Sequence, residues 1–75
     1  MKRSIVKMSG KGDEVVAEWE TETATPERLA EIEKEFNEMV GRGYFAADIT
    51  DQRNEFVKEF DPNADILMIP RIQGG

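Results

Sequence analysis

Apolar residues along this chain change their spacing several times, and each change marks an element. In residues 3–8 (R-S-I-V-K-M) the β-branched pair Ile5 and Val6 suits a pleated surface and predicts a first strand. Residues 9–13 (S-G-K-G-D) are turn chemistry, with Gly10 and Gly12 free to take positive φ. Residues 14–20 (E-V-V-A-E-W-E) then alternate: Val15, Ala17 and Trp19 fall on one face, Glu14, Glu18 and Glu20 on the other, with Val16 as the exception. Two strands around a short glycine-containing loop predict a hairpin, and Trp19 is expected to cover the core.

The apolar period lengthens after the polar connection at residues 21–24. Thr25 precedes Pro26 and Glu27, which is the order of an N-cap, a first helical position and a first-turn acid facing the positive end of the helix dipole. Leu29, Ile32, Phe36, Met39 and Val40 follow on one 3.6-residue stripe, so a helix is predicted, with Gly41 and Gly43 ending it at positive φ. Shorter runs then return. Residues 44–49 (Y-F-A-A-D-I) read as a third strand, residues 50–54 as a polar turn, and residues 55–60 (E-F-V-K-E-F) as a fourth strand. In that strand Phe56 and Phe60 are expected to share a face, and Lys58 between them points to a sheet edge. Asp61-Pro62-Asn63 is a tight turn, after which Asp65 to Ile69 forms the fifth strand.

Ile66 to Ile69 is the longest apolar run in the chain, and near-continuous apolar sequence marks a strand flanked by others on both sides. The natural neighbour of such a last strand is the first one. The two would run parallel, because the hairpin and helix between them supply the crossover. The expected fold is therefore α+β, a β-grasp of order ββαβββ with a mixed sheet over one helix. A plain antiparallel sheet carrying one helix is the alternative. The expected organisation is one domain over 1–70 and a tail at 71–75.

Composition narrows the chemistry. With 75 residues there is room for one thin core, and a chain without cysteine or histidine lacks the usual nucleophile, general base and soft metal ligands. A non-enzymatic protein without cofactor or metal is the expectation. Asp61, Asn63 and Asp65 alternate oxygen donors, but Pro62 and the lack of a completing glycine or glutamate argue against a calcium loop. The net charge is −6, which disfavours nucleic acid as a partner. No stretch is long and apolar enough for a membrane span, and no signal-peptide pattern appears, so a cytoplasmic location is expected. Residues 1–12 hold four basic groups and no acid, whereas residues 13–40 hold ten acids with only Arg28 and Lys34 opposing them. On the helix, Glu31, Glu35 and Glu38 lie off the apolar stripe. They form either a solvated face or a docking surface for a basic partner.

The last stretch, D-I-L-M-I-P-R-I-Q-G-G, carries the most specific signal. Pro70 stops the strand, Arg71, Ile72 and Gln73 form a linker, and Gly74-Gly75 present a slim carboxylate that can enter a narrow channel. These residues resemble the C-termini of ubiquitin-like proteins, and especially the small sulfur carriers of molybdopterin and thiamine biosynthesis. Those carriers often show two adjacent prolines where this chain has Pro70-Arg71. Residues 59–66 (E-F-D-P-N-A-D-I), ahead of the proline and Gly-Gly, are also similar to small bacterial and phage-type proteins without a firm activity. The resemblance implies a modifier or sulfur carrier. An activating enzyme would adenylate Gly75, Arg71 would meet an acidic patch on that enzyme and Ile72 an apolar pocket, and the acyl group would pass to sulfur or to a lysine of a target protein. Two other readings stay open: the glycines as an ordinary chain end, and a small acidic binding or inhibitor protein that works through Glu31, Glu35 and Glu38.

Overall fold

A computed structural model describes residues 1–70. Strands β1 (Lys2–Ser9) and β2 (Gly12–Glu20) form a hairpin, helix α1 spans Pro26–Gly41, and β3 (Phe45–Asp48), β4 (Glu55–Val57) and β5 (Ile66–Ile69) follow. One five-stranded mixed sheet has the order β2-β1-β5-β3-β4. β5 lies at its centre, parallel to β1 and antiparallel to β3. The apolar run of Ile66 to Ile69 thus sits where its composition demands, with strand partners on both edges over Ile66 to Met68. The parallel first and last strands decide against the plain antiparallel alternative.

Helix α1 begins as its sequence predicts. Thr25 is the N-cap, its Oγ1 accepting the Arg28 N–H at 3.1 Å, with Pro26 in the first turn. At the other end Gly43 takes φ 102°, while Gly41 stays within the helix and Arg42 caps it. One left-handed residue is enough to turn the chain, because Tyr44 N–H then returns to the Met39 carbonyl. In the hairpin, likewise, Gly12 alone of the loop glycines has positive φ.

The helix packs Ile32, Phe36 and Met39 on Ile5, Ala17, Trp19, Ala46, Ala64, Ile66 and Met68, and Leu29 and Val40 flank this core. Trp19 is buried as expected. Its Nε1 donates to the Pro62 carbonyl at 2.8 Å, and its ring meets Phe60 edge-on at 5.5 Å. Phe60 also contacts Phe36, with ring centroids 5.9 Å apart.

Two strand expectations need correction. Ile5 opposes Ala17 but Val6 opposes Val15, so Val16 is an extra residue, a β-bulge in β2. The bulge sends Val16 toward the helix beside Ala17 and turns Val15 out to solvent, the reverse of strict alternation. Further along, β4 ends at Val57, and Lys58 and Glu59 form a bend. That bend swings Phe60 beneath Trp19 while Phe56 stays exposed, so the two rings do not share a face. β4 is nonetheless the edge strand that Lys58 suggested. The polar turn before it contains a short 3-10 turn, Thr50–Gln52, with Asp51 and Gln52 at positive φ.

Candidate functional site

The end of β5 is built from the first strand outward. Asp65, just ahead of β5, accepts the Ser4 N–H at 3.1 Å and an Arg3 guanidinium N–H at 3.0 Å. Its own N–H donates to Thr50 Oγ1 at 2.9 Å, and its carbonyl accepts the Ile49 N–H at 2.9 Å. One residue therefore ties β1, the turn after β3 and the start of β5 together. Asp48 completes the turn: its carboxylate accepts the Thr50 N–H at 2.9 Å. Side-chain and backbone hydrogen bonds from Thr50 hold the Asp48 carboxyl below the usual carboxylate range, against the opposing effect of its burial. β5 is thereby clamped where it starts, paired on both sides from Ile66 to Met68 and with β3 alone at Ile69, after which Pro70 is exposed. Arg71, Ile72, Gln73, Gly74 and Gly75, on which the adenylation and partner assignments fall, lie outside the described residues.

The basic first strand spends its charge locally. Lys2 pairs with Glu18 at 2.7 Å, Lys7 with Glu14 at 3.2 Å, and the terminal ammonium of Met1 with Glu20. Hydrogen bonding to Glu18 raises the pKa of Lys2, and hydrogen bonding to Glu20 raises that of the terminal ammonium. Lys2, Lys7 and the terminal ammonium are thus matched by acids of β2, while the acids of α1 are not part of this pairing.

Glu31, Glu35 and Glu38 are all exposed on α1. Arg28 approaches Glu31 at 3.6 Å. Glu35 and Glu38 line a shallow hollow of about 300 Å³ that also holds Lys7, Val16, Met39, Arg42 and Tyr44. The structure places these acids along one side of the helix, but all three share their surroundings with cations, so the surface there is mixed in charge. Among the acids of the turn before β5, Asp61 accepts the Asn63 N–H at 2.8 Å and Asp65 is engaged with β1. Among the described residues, no group of three or more acids is arranged to hold a metal. No helix among them is long and apolar enough to cross a membrane.

The feature that sequence reasoning missed is the sheet face turned away from the helix. The strand registers place Val15, Val6, Leu67, Ala47 and Phe56 side by side, one from each strand, in an apolar row that crosses the whole sheet. Ile69 and Phe45 oppose one another in the next row, toward the end of β5, and Met8 follows Val6 by two residues on the same face of β1. Phe45 and Phe56 lie with ring centroids 6.0 Å apart and cover Ala47, which is buried yet outside the helix-side core. Around the β4 edge an apolar hollow of about 620 Å³ joins Phe45 and Phe56 of this face to Val40, Tyr44, Ala46 and Val57 of the helix side. The signal was present in Ile66 to Ile69: a central strand with one solvent-facing side needs only two of those four residues to be apolar.

No protein-family model, no curated protein and no solved structure matches this chain.

Proposed function

We propose that the protein is a modifier or sulfur carrier of β-grasp architecture, whose C-terminal carboxylate is the reacting group and whose partner is an adenylating enzyme. The observation that carries this reading is the position of β5. It is the central strand, paired with β1 and β3 and clamped at its start by Asp65, so the stretch just before Pro70 is firmly anchored. Strand order β2-β1-β5-β3-β4, a parallel central pair and a single helix across one face all support the β-grasp reading. Ile69 and Phe45, opposed at the end of β5, offer a partner an apolar contact close to Pro70.

In the proposed reaction a Gly75 carboxylate oxygen attacks the α-phosphorus of ATP and pyrophosphate leaves. Sulfide, a thiol or a lysine amine then attacks the acyl carbonyl, and AMP leaves with the former carboxylate oxygen. The protein supplies only the carboxylate and its anchor; the activating enzyme supplies the catalytic groups. ATP as co-substrate fits a cytoplasmic setting.

The test is incubation with ATP and a cognate activating enzyme, followed by intact-mass measurement. An acyl-adenylate, thiocarboxylate or conjugate is expected for the full chain, and none for chains lacking Gly75 or Gly74 and Gly75, with unchanged circular dichroism. Absence of all three products from the full chain would sink the proposal. The exposed Glu31, Glu35 and Glu38 favour a second reading, an acidic binding protein. That reading gains if partner binding survives loss of the glycines, weakens on charge reversal at the three glutamates and falls with salt.

A further inference from the structure

The apolar face across the sheet has no cover among the described residues, and four of its side chains are well exposed: Val15 57% and Phe56 74% at the ends of the first row, Phe45 51% and Met8 42% in the next. We infer that this face binds a second copy of the chain, sheet against sheet, to form a two-fold dimer. Two rings of roughly 200 Å² each, with Val15 and Met8, expose on the order of 400 Å². The half-buried Val6, Leu67 and Ile69 extend the same patch. A patch of that size is at the upper range for a monomer's largest apolar patch. Doubled by symmetry and widened by a polar rim, it reaches about 1,000 Å², the lower bound for a specific interface.

The chemistry of the face favours a like partner. Val6, Leu67 and Ala47 in the middle of the first row, and Ile69 and Phe45 beside them, carry no charge, so the centre of a contact between two copies is apolar, with Asp13 opposite Met8 and Glu18 opposite Ser4 at its β2 rim. Edge pairing is the other way for a small sheet to self-associate, and both edges oppose it. β4 has only three residues and runs into Lys58 and a bend; β2 carries a bulge and Asp13, Glu14, Glu18 and Glu20. The face remains, and two twisted sheets pack about 10 Å apart with their strands roughly aligned. A −6 charge on each copy keeps such a dimer weak at low ionic strength. Salt should therefore strengthen it, opposite to its effect on an acidic surface bound to a basic partner. The dimer stands independently of the tail chemistry and requires neither ATP nor an activating enzyme.

Sedimentation equilibrium of the full chain from about 10 µM to about 1 mM tests this. The weight-average mass should rise from 8.5 kDa toward twice that value, and more steeply in high salt. Phe56→Asp and Val15→Asp alter exposed positions at opposite ends of the row and should hold the chain monomeric, with its thermal unfolding retained. Amide shifts on dilution should cluster at Val6, Val15, Phe45, Phe56 and Leu67. A monomer throughout the range overturns the inference, whether another protein or the chain's own last residues occupy the face. A dimer that persists in both variants, or shifts confined to α1 or the β2 edge, overturns it equally.

Discussion

Replacing Asp65 by alanine tests the geometry on which the central strand depends. The carboxylate accepts one N–H from the backbone of β1 and one from the Arg3 guanidinium, at 3.1 and 3.0 Å. Hydrogen bonds involving a charged partner contribute about 1.5–3 kcal/mol each, and partial exposure of this carboxylate lowers that figure. Arg3 is the less forgiving partner. Its side chain is only 14% exposed, and its Nε has no hydrogen-bond partner among the described residues. Removing Asp65 leaves that guanidinium further short of acceptors. A total loss of about 2–4 kcal/mol follows. That is a large share of the roughly 4–11 kcal/mol expected for a domain of this length, and it corresponds to a fall in Tm of about 10–25 °C. Urea unfolding followed by the fluorescence of the buried Trp19 measures it. The cycle of Asp65→Ala with Arg3→Met should show coupling of about 1–2 kcal/mol. A loss below about 0.5 kcal/mol, or strict additivity, would refute the clamp and remove the reason for treating β5 as a rigid anchor.

Two further outcomes are expected. Phe36→Ala empties the centre of the core, where the ring is fully buried against Phe60 and its neighbours, and should cost about 3–5 kcal/mol, enough to leave much of the protein unfolded at 37 °C by circular dichroism. Asp48 makes stability depend on pH: its folded pKa lies below the unfolded value near 3.8, so its contribution is complete above that value and is lost as pH falls through the lower folded one. Asp48→Asn keeps an acceptor for Thr50 but cannot titrate, so the stability difference between wild type and variant should shrink as pH drops below about 4; urea curves that run parallel from pH 7 to pH 2.5 would contradict the assignment.

What could be read from residues alone was whatever local rules determine. Thr25-Pro26 set the helix start and Ile32, Phe36 and Met39 its buried stripe, because capping and the 3.6 period act within a few residues. Ile66 to Ile69 gave away the centre of the sheet for a similarly direct reason. The errors fall where a single backbone irregularity decides which way side chains point. Val16 is one extra residue, yet it exchanges the faces of Val15 and itself, and nothing in V-V-A-E-W marks the bulge. The bend at Lys58 and Glu59 does the same to Phe60. The outer apolar row was hidden for a further reason. Its five members come from five strands and meet only once every register is known. The acids of α1 were placed correctly, but Lys7, which shares their hollow with the helix's own cap Arg42, comes from β1 and meets them only in the fold.

The pairing of β1 with β5 joins residues about sixty positions apart, and β3 and β4 connect to the hairpin only through β5. During synthesis the hairpin and helix emerge first, then β3 and β4, and these two halves have no strand in common until Ile66 to Ile69 appear. Contacts this distant in sequence form late, after most of the loop-closure cost has been met. A chain cut short before Ile66 cannot assemble the sheet and offers its apolar residues to chaperones and proteases instead. Folding therefore acts as a completeness check: any molecule that presents the end of β5 on an ordered sheet has already been translated through it.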